Sequence, residues 1–299
     1  MARMSQSAET FADQILNFSL PERSARGRAV RLDGVLDEIL SAHDYPAPIA
    51  HVLGEALVLT SLMGGLLKEE HAQLTMQAQT QTGPIRLLVC DYRDSELRGY
   101  VDYEKAARES LGVSSDLVTL FGQGHLAITF ETGAGKRYQG IVPLEGASLS
   151  DACQNYFFQS EQIPTLIRVG VRSSDQGCEA GGLLVQHLAD GEQGRERLHV
   201  RLDHPDWEHV SVLAGTLSHD ELVDRGLSME AMIWRLFHEE GEILTEKGGE
   251  LSRGCRCSVE HYGKVLSKFP ASELDAMRND AGVIVVDCAF CSREFAVAN

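Results

Sequence analysis

The sequence predicts an α+β protein in three parts. A mixed α+β core spans 1–190, an acidic helical linker spans 191–250, and a small four-cysteine unit spans 251–299. Three observations predict this. Apolar residues recur at both strand and helix spacings through the first part, with no regular βαβ alternation and no repeat. Charge is uneven, at −9 over 1–190, −8 over 191–250 and zero over 251–299. Four of the seven cysteines fall in the last part.

In the core, VRLDGVLDEIL reads as a strand or turn leading into a helix, with Val35, Leu36, Ile39 and Leu40 on one face. The two prolines of HDYPAP break the chain. A long helix follows over 49–67, apolar on most sides and therefore a core helix. LTMQAQTQT alternates like a half-buried strand, and IRLLVCDY after Gly83-Pro84 reads as a buried one. HLAITFET and KRYQGIV read as a hairpin, 148–160 as a helix, and LIRVGVRS and AGGLLVQHL as strands.

The linker opens its helices with caps. Ser218 and Glu221 match a capping box, and Ser228 caps the next helix, over 229–240. There Met229, Met232, Ile233, Leu236 and Phe237 form one apolar stripe. Such a stripe ordinarily packs on its own core. Here it lies between two other units and is expected to dock between them, as a candidate interaction surface. Glu239 and Glu240 read as a solvated helix end that opposes the macrodipole.

In the tail, Ser258 and the Pro270–Ser272 stretch start short helices, and strands are expected at 283–286 and 294–297. Cys288 and Cys291 sit between those strands, where a hairpin turn aims both sulfurs at one point. Thirty residues separate this C-A-F-C pair from C-R-C at Cys255 and Cys257. The N-terminus lacks a signal-peptide pattern, and the stretch Val52–Leu67 is too short and too charged, at Glu55, to cross a bilayer. A cytoplasmic location is expected, where cysteines stay reduced unless they bind metal or do redox chemistry. Four thiolates suit one tetrahedral Zn²⁺ per chain. Structural zinc contributes about 10–16 kcal/mol in small peptides, so its loss should unfold so small a unit. The one-residue spacer of Cys255-Arg256-Cys257 is shorter than structural zinc sites use. It admits a strained, labile disulfide. The pattern thus couples an oxidant to unfolding, against the plainer reading of a purely structural metal site.

The tail GCRCSVEHYGKVLSKFPASELDAMRNDAGVIVVDCAFCSREF resembles the redox domain of the thirty-three-kilodalton heat shock protein family. The core segments HDYPAPIAHVLGEALVLTSLM, KRYQGIVPLEG, YFFQSEQIPT, AGGLLVQ and IWRLFHEE resemble that family in the same order. The resemblance implies an ATP-independent holdase chaperone, with no enzymatic activity, that binds unfolded clients under oxidative stress. It implies zinc on Cys255, Cys257, Cys288 and Cys291 in the reduced state, and on oxidation the bridges 255–257 and 288–291. It also implies a metastable linker and a homodimer when active. Cys90, Cys153 and Cys178 depart from that simple scheme. Cys90 lies in an apolar run and is expected to be buried, whereas Cys178 is expected in a loop and open to solvent.

Two other functions compete with this one. A zinc-ribbon nucleic-acid binder needs a basic face, and the net charge of −17 with a neutral tail argues against it and against an anionic membrane. A thiol–disulfide oxidoreductase needs its C-x-x-C at a helix start in a βαβ unit; this pair follows a strand. The chain has no GxxxxGK[ST] and no HExxH.

Overall fold

The computed structural model describes residues 9–67, 69–108, 111, 116–174, 177–188 and 203–297. The chain begins with the hairpin β1 (Gln14–Leu20) and β2 (Ala25–Leu32), then α1 (Gly34–Leu40) and α2 (Ala47–Gly64). The strands β3 (Gln73–Thr80), β4 (Ile85–Arg93) and β5 (Glu96–Tyr103) lead to α3 (Leu117–Phe121). The hairpin β6 (Gly124–Glu131) and β7 (Arg137–Pro143), helix α4 (Leu149–Tyr156), and the hairpin β8 (Thr165–Ser174) and β9 (Gly177–His187) complete the core. The linker carries α5 (Pro205–Gly215), α6 (His219–Leu222), α7 (Met229–Phe237) and β10 (Leu244–Glu250). The tail carries β11 (Ser252–Arg253), α8 (Val259–Leu266), α9 (Ala271–Met277), β12 (Ile284–Asp287) and β13 (Glu294–Val297).

Two sheets enclose α2. The first runs β10-β1-β2-β9-β8 and the second β11-β5-β4-β3-β6-β7. Every pairing is antiparallel except β11 on β5. Helix α2 touches both sheets, which is why it is apolar around its whole circumference. It is the one helix among the described residues long and apolar enough to cross a membrane, and it is buried in the core. Its only carboxylate, Glu55, is buried too. It accepts from the backbone N–H and the hydroxyl of Ser150 (2.9 and 2.8 Å) at the start of α4, and burial raises its pKa. The helix expected over 148–160 runs as α4 and then widens into a π turn, Phe157–Glu161.

The outer face of the first sheet has its own hydrophobic cluster. Leu16, Phe18 and Leu20 of β1, Ala29 of β2, and Leu183 and Val185 of β9 pack under Val210 and Ala214 of α5, Leu222 of α6, and Met229, Met232, Ile233 and Phe237 of α7. The linker stripe therefore packs on the core sheet. No residue beyond 250 belongs to this cluster among the described residues, so the expected docking of α7 between core and tail is corrected. The physical reason is the face of β1 and β9 opposite α2, which is as apolar as the stripe itself.

Three further readings change. The helical character of the linker stops at Phe237, and 244–250 form an edge strand; the junction at 190/191 lies outside the described residues. Glu240 is not a solvated helix end. It is buried and accepts from Arg23 Nε (2.8 Å), with His209 Nε2 2.7 Å away. Cys178 lies in β9 and is buried, its backbone N–H facing Asp37 of α1 and its thiol lying beside Gly54 of α2 and 3.5 Å from the Ser173 hydroxyl. Cys90 and Cys153 are fully buried, and burial pushes all three thiols above their ordinary pKa.

Candidate metal centre

Local sequence builds the centre. After β11, Gly254 donates to the carbonyl of Leu97 (2.8 Å), which ties the first cysteine pair to the edge of the second sheet. The run Cys255–Cys257 is irregular and ends where Ser258 caps α8 by accepting from the N–H of His261 (3.1 Å). The second pair lies in the turn of the β12–β13 hairpin. Cys288 donates to the carbonyl of Arg293 (2.9 Å), and Ser292, in the left-handed region at φ 53°, donates to the carbonyl of Cys288 (2.8 Å). Behind the cysteines the described residues of the unit form a small apolar cluster: Leu266, Ile284 and Val297, with Tyr262, Leu274 and Val286 at its margin.

The four sulfurs converge. Cys255 Sγ lies 3.2 Å from Cys257 Sγ and 3.5 Å from Cys288 Sγ, and Cys257 Sγ lies 3.5 Å from Cys291 Sγ. All four lie within 4.8 Å of one another. A metal–sulfur bond of about 2.3 Å in a tetrahedron spaces its sulfurs by about 3.8 Å, so the set fits a single ion with small adjustment. Cys288 and Cys291 are buried and the other two half-buried. Among the described residues no carboxylate or imidazole joins the group, so this donor set is wholly soft.

The charge of such a set needs an offset, and Arg293 supplies one. Its Nη2 donates to Cys257 Sγ at 3.4 Å. Burial works against ionising Cys291, but the Arg293 guanidinium and main-chain N–H outweigh it and bring that thiol down to about 6. Cys255 and Cys257 move up, chiefly through burial.

Sequence reasoning missed how the centre meets the core. The residues between the cysteines do it. Phe290 and Tyr100 of β5 form a T-shaped pair, with ring centroids 4.9 Å apart at 83°, and the Arg98 guanidinium lies 4.1 Å from the Phe290 ring centroid. The carbonyl of Phe290 and the hydroxyl of Ser292 lie 3.3 and 3.1 Å from the two ring nitrogens of His43. Arg256 donates to Gln73 Oε1 (2.6 Å) and stands 3.9 Å from Asp91. The only signal in the sequence was an aromatic and an arginine inside the two cysteine spacers. The stripe residues Met229, Met232, Ile233, Leu236 and Phe237 are remote from the centre, on the first sheet; the first three and Phe237 are buried, and Leu236 is half-buried.

A two-sheet α+β core, covered by its own acidic segment and followed by a hairpin unit of four converging thiols, is the class that fold and site define. Comparison with known proteins narrows it. The family model described as Hsp33 protein matches residues 13–298, and the chain belongs to that chaperone family. A relative from Caulobacter vibrioides named 33 kDa chaperonin is 41% identical, across 94% of this chain and 93% of its own. Relatives of the same name from Shigella boydii and Escherichia coli are 32% identical, across 95% of this chain and 91% of theirs. The 33 kDa chaperonin structure from Thermotoga maritima shares the fold with a TM-score of 0.78, at 24% identity over 96% of this chain and 95% of that one.

Proposed function

We propose that the protein is a redox-regulated, ATP-independent holdase of the bacterial cytoplasm. It is inactive while reduced, with one zinc on Cys255, Cys257, Cys288 and Cys291. The observation that carries the reading is the convergence of four thiols within 4.8 Å on a unit whose own core is three buried residues. Zinc, when bound, supplies the cross-link that so small a core lacks.

The rest follows from the chain's own residues. An oxidant draws electrons from the thiolates, and Cys255 bridges to Cys257 and Cys288 to Cys291. The 3.2 Å approach of the first pair supports that pairing, but the crossed approaches of 3.5 Å are close to it. Proximity therefore does not select, and peptide mapping of the oxidised protein does. With its ligands gone the unit unfolds, and Phe290 and Arg256 leave the core. The strands β11 and β10 then lose their anchor, and α5 to α7 loosen from the first sheet. The uncovered stripe and the face of Leu16, Phe18, Leu20, Leu183 and Val185 are the client surface. The oxidised, active form is a homodimer. The work is chaperoning, not catalysis, and neither nucleic acid nor membrane is a partner.

One sample decides it. Bound zinc and suppression of aggregation of an unfolded client are measured before and after peroxide, without nucleotide. One zinc per chain lost as suppression appears is the expected result. Suppression by the reduced, metal-loaded protein, or zinc lost with no suppression, overturns the reading.

A further inference from the structure

The strand β10 is a poor strand in a demanding place. Its sequence, LTEKGGE, has no fully buried side chain, and its Gly248 and Gly249 lie where the register against β1 shifts. Yet it completes the first sheet, pairing Lys247 with Leu16, Glu246 with Asn17, Thr245 with Phe18 and Leu244 with Ser19. On the face toward α7, β1 offers the apolar row Leu16, Phe18 and Leu20. Beside that row β10 sets Lys247 and Thr245. The Thr245 hydroxyl is buried there with no hydrogen-bond partner among the described residues. Polar groups thus stand where apolar ones would extend the row. What holds β10 is its backbone ladder and its two flanking residues, Ile243 and Leu251, both buried. Leu251 also donates to the carbonyl of Asp13 (2.7 Å).

The outer edge of β1 is therefore a site that accepts an extended antiparallel segment and asks little of its side chains. We propose that an extended segment of an unfolded client, apolar at alternate positions, adds to β1 in place of β10. This rests on the reading above, in which oxidation loosens the linker. The occupant is argued from the one already seated, a seven-residue strand held mainly through its backbone. A client strand with apolar residues opposite Leu16 and Phe18 makes the same ladder and better cross-strand pairs. Backbone pairing tolerates any sequence, which suits a protein that meets many clients.

The test uses the full-length protein and a short, labelled, alternating Thr-Val peptide. A second peptide has the same side chains but is N-methylated along both edges, so it cannot donate to a strand. The oxidised protein should bind the first about ten-fold or more tightly than the second. The reduced, zinc-loaded protein should bind neither. Hydrogen exchange on peptide binding should slow in 14–20 and not in 137–143, the edge strand β7 of the second sheet. In the variant Thr245→Val the intrinsic strand fits better, so oxidised protein should bind the first peptide several-fold more weakly. Equal affinity for the two peptides, or protection confined to other segments, overturns the proposal in a preparation that suppresses aggregation. A preparation that fails to suppress aggregation after oxidation overturns the functional reading, and the edge proposal with it.

Discussion

Arg31 is the residue on which the linker closes. It is 1% exposed, and its guanidinium serves backbone carbonyls: Leu222 from Nε (2.9 Å), Leu227 and Phe11 from Nη1 (2.8 and 3.0 Å), and Glu221 from Nη2 (3.2 Å). Burial lowers its pKa, the mark of a cation that carries a desolvation cost. Replacing a buried charge by an apolar isostere can stabilise a protein when its partners leave with it. Here the carbonyls would stay, each unsatisfied at about 1–3 kcal/mol, so the loss wins. Arg31→Met should therefore lower the stability of linker docking. Both tryptophans, Trp207 and Trp234, lie in the linker, so their fluorescence in a denaturant titration reads that docking directly. A midpoint equal to wild type would show that Arg31 is not the latch. Phe290 is the matching residue at the metal centre. Phe290→Ala leaves four thiols intact but removes an aromatic pair and a cation–π contact, together about 1–2 kcal/mol. It should keep its zinc and activate at lower oxidant; an unchanged oxidant dose response would sink that expectation.

At the scale of elements, α7 is held by its stripe and by its end. Glutamates at Ile233 and Leu236 should undock it and give partial holdase activity while the zinc is still bound. A folded, zinc-loaded variant that stays silent until oxidised would remove α7 from the mechanism. Its C-terminal end depends on Glu240. Burial opposes ionising that carboxyl, but Arg23 and then His209 overcome it and hold the pKa below its usual value. A depressed carboxylate contributes stability that is fully present above its unfolded pKa, about 4.3, and lost as pH falls through the lower folded value. Docking should thus weaken below about pH 4.3, and Glu240→Gln should remove that acid limb from the tryptophan signal. An acid limb unchanged in the variant assigns the effect to another group.

At the scale of the whole molecule, one short segment joins three parts. Within 244–254 the chain adds β10 to the first sheet and β11 to the second, then reaches Cys255. Unfolding of the tail would therefore pull on the edges of both sheets and on Leu251, while the other described members of the cluster around α2 lie outside this segment. Hydrogen exchange after oxidation should rise across 203–254 and stay slow in 47–64. Uniform exchange across both segments would mean global unfolding in place of a switch.

The local features were legible in the sequence. Periodicity placed α2 and the β6–β7 hairpin, and Ser218, Ser228 and Ser258 marked helix starts that the structure keeps, because a cap is settled within four residues. The C-x-C and C-x-x-C pairs named the four thiols that meet, since spacing and residue type are what a metal reads. Strand β5 escaped notice because Gly99 takes an inward position, where α2 leaves no room: a Cβ there would lie 2.9 Å from Leu53 and from Cys90 Sγ. The burial of Cys178, the strand at 244–250, the latch at Arg31 and the sheet beneath α7 were decided only by tertiary structure. Each depends on partners far away along the chain, some about two hundred residues distant. Local propensity carries no information about which distant surface will exclude water, and burial is a property of the pair of surfaces and not of either alone.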